Sequence, residues 1–284
     1  MNLGLVLAGQ ILSQKVDFAE LCGWAADNGY SAIDMPRGRE DGFEIARKAG
    51  LQIGQAGFVP QLITDDAEQR KQNQARAAEI LKGIADKGGK LVGLGHGKVP
   101  EKSDDENVEL FRQGVTPVAE EAEKLGLKLV MENYHNYGRN LAISPHNLRA
   151  MFAAVPNKAL GFCFDPSHFV VLGIDWLRAL HEFAPRIYYA HAKDTLIDRD
   201  GLYDLGILAK DSGRKSAGVG WWRYTLPGFG EVDWGKYVET LREIGYDGAL
   251  AVEHEDDMWG WREDFEKTKK GLVIAKNYLN LFVS

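Results

Sequence analysis

Eight short apolar segments recur along the 284-residue chain, and a longer amphipathic segment follows each of them. The short segments are rich in Val, Ile, Leu and aromatic residues, which predicts buried strands, whereas the longer segments predict helices. Because strands joined through helices run parallel, eight such units favour closure into a (β/α)8 barrel, a single domain over residues 1–284. The predicted strands are Leu3–Leu7, Ala32–Met35, Leu51–Ala56, Lys90–Leu94, Lys128–Glu132, Leu160–Asp165, Ile187–His191 and Gly248–Glu253.

Helix boundaries in the sequence support this assignment. Ser144-Pro145 places a capping hydroxyl before a proline of the first turn, and both Lys87-Gly88 and Lys124-Leu125-Gly126 are typical helix ends. The alternative is an open, doubly wound sheet, indicated by the glycine-rich turn 93–97. A dinucleotide fingerprint requires G-x-G-x-x-G after the first strand, and this chain lacks that context, so the barrel is favoured.

Composition excludes several classes of protein. The 34 basic and 41 acidic residues leave a net charge of −7, which opposes binding to nucleic acid backbones. Cys22 and Cys163 show no metal-binding spacing and are expected to be reduced core thiols, as in cytoplasmic proteins. The sequence shows no signal peptide and no apolar run long enough to cross a membrane, so no membrane role is expected.

Four consecutive predicted strands end in a residue that can bind a metal or move a proton, namely Glu132, Asp165, His191 and Glu253. The ends of parallel barrel strands converge on one face, where three carboxylates and an imidazole would be costly to hold together without a divalent cation. The alternative is that each acid pairs with a lysine in its own loop. Because four consecutive predicted strands end in such a residue, separate pairing with lysines is the weaker alternative.

One strand-to-strand spacing is irregular. The segment from His191 to Glu253 is about twice as long as the segment from Glu132 to Asp165 or the one from Asp165 to His191, so the last unit carries extra chain. This excess lies in Thr195–Val232, a long loop after the seventh strand that is called the insert below. Long loops in barrels project from the face where catalysis takes place, which predicts a lid or a substrate-binding loop.

The chain resembles the xylose isomerase-like TIM barrel superfamily, which includes sugar isomerases and epimerases similar to tagatose 3-epimerase, and inosose dehydratase. The resemblance extends over nearly the whole chain. It rests on five features in their order along the chain: Glu132-Asn133, Asp165-Pro166-Ser167-His168, His191-Ala192-Lys193-Asp194, the segment Pro227–Trp234, and Glu253.

The resemblance implies that Glu132, Asp165, His191 and Glu253 bind one divalent metal ion, Mn, Mg or Co, with Zn possible. Oxygen-rich ligation independently suits Mn or Mg. The metal would hold a sugar substrate through its carbonyl and a neighbouring hydroxyl, so that an enediolate becomes accessible. Glu132 and Glu253 would then remove and return the proton. Return to the opposite face gives an epimer, and return to the neighbouring carbon gives an isomer.

Further residues are expected to contact the substrate. In epimerases of this kind an arginine follows the histidine of the seventh strand by six residues, but Ile197 stands at that position here. Arg199 or Arg223 of the insert could replace it. Tryptophan rings can cover the C–H faces of a sugar. The predicted substrate-binding residues are His168, His135, His96, Lys193, Asp194, Arg199, Arg223 and Trp222.

The favoured function is therefore a metal-dependent isomerase or epimerase of a small ketose or related polyol. A lyase or dehydratase of a keto-sugar, keto-inositol or 3-keto-glycoside could use the same site, and Ile197 and His135 support it. A DNA repair endonuclease of the abasic-site kind is weaker, because it needs more histidines and a less acidic chain. A sugar-binding barrel without activity is also weaker, because both glutamates are retained. A homodimer or homotetramer is expected only from the resemblance.

Overall fold

The computed structural model describes residues 1–6, 16–36, 41–208, 218–261 and 263–283. Its strands are β1 (Leu3–Leu5), β2 (Ala32–Ile33), β3 (Gln52–Ile53), β4 (Gln55–Val59), β5 (Leu91–Leu94), β6 (Lys128–Glu132), β7 (Leu160–Phe164), β8 (Ile187–Ala192), β9 (Asp194–Ile197), β10 (Gly218–Val219), β11 (Trp222–Thr225) and β12 (Leu250–Val252). The part of the first predicted strand at Leu7 lies outside the described residues.

Helices lie between these strands. They are α1 (Phe18–Asp27), α2 (Gly42–Lys48), α3 (Ala67–Asp86), α4 (Asp104–Lys124), α5 (Pro145–Ala154), α6 (Pro166–Val171), α7 (Trp176–Glu182), α8 (Arg199–Leu205), α9 (Trp234–Glu243) and α10 (Phe265–Val283), with 3-10 turns at Asn136–Gly138, Ala184–Arg186 and Asp257–Trp259. No helix in the described part of the chain is both long and apolar enough to cross a membrane.

The nine strands of the main sheet are all parallel, in the order β3-β2-β1-β12-β8-β7-β6-β5-β4. The two end strands, β3 and β4, are consecutive parts of one chain segment interrupted at Gly54. Pairing with β2 continues across the interruption, because Gly54 N–H donates to Ile33 O at 2.9 Å and Met35 N–H donates to Gln55 O at 2.8 Å. The sheet is therefore a closed eight-stranded TIM barrel, as the sequence predicts.

Capping residues fix the helix ends where the sequence predicts them. Ser144 Oγ accepts from Asn147 N–H at the start of α5, with Pro145 in the first turn. Ser103 and Glu106 form a reciprocal capping box on α4. Gly88 and Gly126 follow α3 and α4 in left-handed backbone, at φ values of +74° and +68°, where a side chain would be strained.

The apolar core has two parts. The larger part lies between the barrel and its surrounding helices, and the smaller part fills the barrel interior with Val6, Val130, Cys163, Tyr189 and Ala251. Both cysteines are buried and form no disulfide. Packing on both faces explains why the strands appear in the sequence as continuous apolar runs.

The insert is more ordered than a simple loop. It forms an antiparallel sheet in the order β10-β11-β9, with helix α8 beside it. Trp221, Trp222 and Tyr224 of this segment are buried together and form a small apolar cluster. Residues 209–217 of the insert lie outside the described residues. The small sheet places the side chains of β11 next to the ends of β6, β7 and β8.

Candidate metal centre and substrate cavity

The four strand-end residues meet at the carboxyl-terminal mouth of the barrel. One ligand atom from each of Glu132, Asp165, His191 and Glu253 lies within 4.8 Å of the other three. His191 Nδ1 faces the carboxylates, at 3.0 Å from Glu132 Oε1, 3.3 Å from Glu253 Oε2 and 3.9 Å from Asp165 Oδ2. The convergence predicted from the strand ends is thus what the structure shows.

Backbone contacts of β6 and β7 orient two of these side chains. Glu132 pairs in register with Cys163, one strand further along the barrel. Asn133 holds the start of the next loop, because its Oδ1 accepts from Asp165 N–H at 2.9 Å and its Nδ2 donates to Asp165 O at 2.8 Å. Asp165 Oδ1 caps helix α6 by accepting from Ser167 N–H. The other oxygen, Oδ2, is left to face the cluster.

Lys193 places a positive charge among these carboxylates. Its side chain is only 2% exposed, and its Nζ lies 2.6 Å from Glu253 Oε2, 3.1 Å from Asp165 Oδ2 and 3.2 Å from Glu255 Oε2. Burial would lower the pKa of Lys193, but the surrounding carboxylates outweigh burial and raise it well above the usual value. The lysine is therefore a fixed ammonium group.

The acids of the cluster respond to these neighbours in different ways. Burial opposes ionisation of Glu132, but His191, His168 and Lys193 together hold its pKa well below the usual value. Burial also opposes ionisation of Glu253, but Lys193 and His191 together lower its pKa. Burial raises the pKa of Glu255 despite Lys193. Glu132 and Glu253 are thus the carboxylates kept ionised at neutral pH.

The donor set fits a divalent cation. Three carboxylates and one imidazole nitrogen supply the oxygen-rich, mixed ligation found for Mn2+, Mg2+, Co2+ and Zn2+. Asp165 Oδ2 is fully buried and takes part in no hydrogen bond, although Lys193 Nζ is close to it. A buried carboxylate oxygen without a hydrogen bond is costly unless a cation compensates it. This chemistry favours a metal site over a set of structural ion pairs.

A cavity of about 600 Å³ opens beside the cluster. Glu132, His191 and Glu253 line one side, whereas Asp165 is buried behind them. The first half of the barrel provides the other side. The lining residues from β2, β4, β5 and the loops that follow them are Asp34, Met35, Pro36, Gln55, Phe58, Gln61, Leu94, Gly95, His96 and Gly97. The rest of the wall comes from Val6, Val130, Tyr134, Asn136 and Asn140.

Three predicted substrate-binding histidines lie at this site in different environments. His96 lines the cavity, and burial lowers its pKa to about 4, so its ring is neutral. His168 is fully buried, with Nε2 3.4 Å from Glu132 Oε1. His135 is buried with its ring beside that of His168, and burial lowers its pKa to about 3. Contact of these rings and of Lys193 with a substrate remains a prediction.

The structure places four other predicted residues away from the described cavity lining. Asp194 accepts hydrogen bonds from Gly228, Gly230 and Val232 N–H and from Trp234 Nε1. Its side chain therefore binds the end of the insert and is not directed at the candidate metal centre. Trp222 is buried against other rings. The two candidate replacement arginines bind acids instead: Arg199 pairs with Glu231 at the surface and Arg223 pairs with Asp256.

Sequence reasoning missed three residues of the site. Tyr224 of β11 lies 2.7 Å from His168 Nδ1 through its hydroxyl. Glu255 completes the carboxylates around Lys193. Asp34, at the end of β2, accepts hydrogen bonds from Tyr189 OH at 2.5 Å and from Gln55 N–H at 2.8 Å. Asp34 lies near the end of a predicted strand and Glu255 lies two residues after another, so their position at strand ends could have identified both, but no local signal marks Tyr224.

Comparison with known proteins agrees with this geometry. A family model described as xylose isomerase-like TIM barrel matches residues 15–272. An inosose dehydratase of Lacticaseibacillus casei is 28% identical over 222 residues, which are 73% of this chain and 70% of that protein.

Two solved structures share the fold over the full length of the chain. The D-psicose 3-epimerase of Clostridium cellulolyticum H10, solved with D-tagatose, has a TM-score of 0.74 at 16% identity and covers 100% of both chains. The IolI protein, solved with a zinc atom, has a TM-score of 0.72 at 15% identity and also covers 100% of both chains. The family model, the closed barrel and the converging strand ends agree, and the chain belongs to the xylose isomerase-like TIM barrel family.

Proposed function

We propose that this protein is a divalent-metal-dependent isomerase or epimerase that moves a proton on a carbon next to the carbonyl of a small ketose or related polyol. The observation that carries this proposal is the position of Glu132 and Glu253. Both carboxylates line the same cavity, and both lie within 3.3 Å of His191 Nδ1. Both also belong to the only group of side chains among the described residues that could hold a metal ion.

Different side chains of the site would bind the metal ion, transfer the proton and bind the substrate in such a reaction. Glu132, Asp165, His191 and Glu253 would hold the cation, which when bound acidifies a C–H bond beside a carbonyl by acting as a Lewis acid. Glu132 and Glu253 are kept ionised by Lys193 and its neighbours, so that one can remove a proton from the substrate and the other can return it. The opposite wall, which includes Asp34, offers polar groups to the hydroxyls of the substrate.

A dehydratase of a keto-inositol or keto-sugar is the second candidate, and two observations favour it. The curated relative matched over 73% of this chain is an inosose dehydratase. The arginine expected in epimerases is replaced by Ile197, and the two arginines that could substitute for it bind Glu231 and Asp256 instead. Both candidates begin with the same proton removal and differ in whether a β-hydroxyl then leaves.

The experiment is product analysis in deuterated water. The purified protein is stripped with a chelator, reloaded separately with Mn2+, Mg2+, Co2+ or Zn2+, and incubated with D-fructose, D-psicose, D-tagatose and 2-keto-myo-inositol. A deuterated epimer or isomer supports the first proposal, and a product lighter by one water supports the second. If none of the four metals gives exchange or elimination with any substrate, both proposals are wrong.

Matched variants test the two glutamates. Glu132→Gln and Glu253→Gln should each lower turnover by about 10²- to 10⁴-fold, which is the usual contribution of a general acid or base. Glu239→Gln, which changes an exposed carboxylate of α9, should leave turnover unchanged. Circular dichroism verifies that each variant retains its fold. Full turnover in Glu253→Gln would contradict its assignment as a base.

A further inference from the structure

Four side chains and one backbone amide form a continuous hydrogen-bonded chain that runs from the loop after β6, through Tyr224 of the insert, to Glu132 of the candidate metal centre. Tyr137 N–H lies 3.1 Å from His135 Nδ1, and His135 Nε2 lies 3.1 Å from Tyr224 OH. Tyr224 OH lies 2.7 Å from His168 Nδ1, and His168 Nε2 lies 3.4 Å from Glu132 Oε1. The hydroxyl of Tyr224 is thus the only link between the two imidazole rings in this chain of contacts.

The amide end of the chain fixes the direction of every hydrogen bond. A backbone N–H can only donate, so His135 Nδ1 must accept. Since a neutral imidazole carries one N–H, the proton of His135 lies on Nε2 and is donated to the oxygen of Tyr224. The phenolic O–H is then free to donate to His168 Nδ1, which places the proton of His168 on Nε2. Burial lowers the pKa of His135 to about 3, which keeps that ring neutral.

The other end of the chain does not fix the direction by itself. The carboxylate of Glu132 can only accept, and it lies 3.4 Å from His168 Nε2, which favours a proton on Nε2. The ammonium of Lys193 can only donate, and it lies 3.2 Å from the same nitrogen in addition to its hydrogen bonds with Glu253 and Glu255, which favours an Nε2 without a proton. The direction imposed through Tyr224 therefore decides between these two partners.

The position of Tyr224 is itself strongly constrained. β11 pairs with β9 so that Tyr224 lies opposite Thr195, and the next residue, Thr225, donates to Asp256 Oδ2 at 2.8 Å. The Tyr224 ring is 4% exposed, with the Lys193 ammonium 4.7 Å from its centre and the Trp222 ring 4.9 Å away. Cation–π attraction and burial hold the ring in place. The hydroxyl therefore has little freedom to leave His168.

We propose that Tyr224 is a positioning residue, which sets His168 in the Nε2–H tautomer and thereby directs a hydrogen-bond donor at Glu132. The part of this inference that concerns Glu132 as a metal ligand and base rests on the proposed function, whereas the tautomer does not. The insert then contributes to the metal centre from outside the barrel. Partners that orient a ligand in this way usually change metal affinity or activity by about 10- to 100-fold when they are removed.

The test reads the tautomers directly by 15N–1H NMR of the chelator-treated, 15N-histidine-labelled protein. His168→Gln and His135→Gln variants assign the two ring signals. In the wild-type protein, both rings should carry their proton on Nε2. In Tyr224→Phe, the oxygen that bonds to both rings is gone, so His168 should shift toward the Nδ1–H tautomer, with Nε2 accepting from Lys193. Mn2+ affinity and kcat/KM should fall by about 10- to 100-fold.

Tyr246→Phe is the matched control, because it removes one half-buried tyrosine hydroxyl that donates to Ala249 O and takes no part in this chain of contacts. It should leave both tautomers and the Mn2+ affinity unchanged. The proposal is overturned if wild-type His168 carries its proton on Nδ1 or on both nitrogens, a measurement that does not depend on the variant folding. It is also overturned if Tyr224→Phe folds and keeps the Nε2–H signal of His168. Loss of all turnover with correct tautomers would instead count against the proposed function.

Discussion

Replacing Lys193 by Met removes the positive charge from the centre of the carboxylate cluster and keeps a side chain of similar length. At an effective dielectric constant of about 20, each carboxylate between 2.6 and 4.0 Å from Nζ attracts the ammonium by about 4 to 6 kcal/mol. Four such attractions exceed the stability of a typical domain, about 5 to 15 kcal/mol, so they cannot all be net stabilisation. Desolvation of the buried charges offsets most of the sum.

The measured effect of removing one partner from a buried ion pair is about 3 to 5 kcal/mol. We therefore expect Lys193→Met to lower the free energy of unfolding by about that amount in the presence of EDTA. Mn2+ should restore much of the loss, because two positive charges then replace the one that was removed. The variant should also bind Mn2+ more tightly than the wild-type protein, because a repelling charge beside the ligands has gone.

Urea unfolding followed by tryptophan fluorescence, with EDTA and with saturating Mn2+, measures both effects. Lys236→Met is the control, because Lys236 Nζ lies 2.9 Å from Glu239 Oε2 in a pair whose side chains are 42% and 59% exposed. A pair with this exposure contributes little to stability. The reasoning is refuted if Lys193→Met is as stable as the wild-type protein in EDTA, or if Mn2+ does not narrow the difference between them.

Three further predictions concern the same region. Burial raises the pKa of Asp34 to about 6 from 3.8. The folded protein therefore keeps this proton to a higher pH than the unfolded chain does, and it loses roughly 2 to 2.5 kcal/mol of stability as the pH rises from 4 to 7. Asp34→Asn should lack this decline in urea titrations with EDTA, and parallel curves for the two proteins would contradict it. His191 is buried, which lowers its pKa, but Cys163, Glu132 and Glu253 raise it well above 6.5. Mn2+ binding at pH 7 should therefore release about one proton. The heats of binding observed by calorimetry in PIPES and in Tris should then differ by the difference between the protonation enthalpies of the two buffers, and equal observed heats would argue against His191 as a ligand. A Cβ on Gly54 would collide with Asp34 Oδ1 and Tyr189 OH, so Gly54→Ala should lower the midpoint of urea unfolding, whereas Gly83→Ala, in an open position of α3, should not.

Strand periodicity and strand ends allowed much of this protein to be predicted. All eight predicted strands correspond to barrel strands, because buried parallel strands must be apolar throughout and helices must separate them. The prediction that Glu132, Asp165, His191 and Glu253 meet at one face was also correct, because the parallel strands of one barrel all end on the same face.

Roles that depend on contacts across the barrel were not predictable in the same way. Asp194 follows His191 by only three residues, yet its side chain points to the segment Gly228–Trp234, and Arg223 points to Asp256. In both cases the direction of the side chain is set by a partner that lies far away in the sequence. Local spacing carries no information about such a partner.

The amino-acid sequence by itself determined the barrel and the face on which Glu132, Asp165, His191 and Glu253 meet, because both follow from local periodicity and from the parallel direction of the strands. Only the tertiary structure decided which side chains surround these four residues. Tyr224 reaches His168 from a separate small sheet, and Lys193 lies among carboxylates from three different strand ends and the loop after β12. Hydrogen-bond direction and charge balance arise from distances between segments that are remote in sequence, so they exist only in the folded chain.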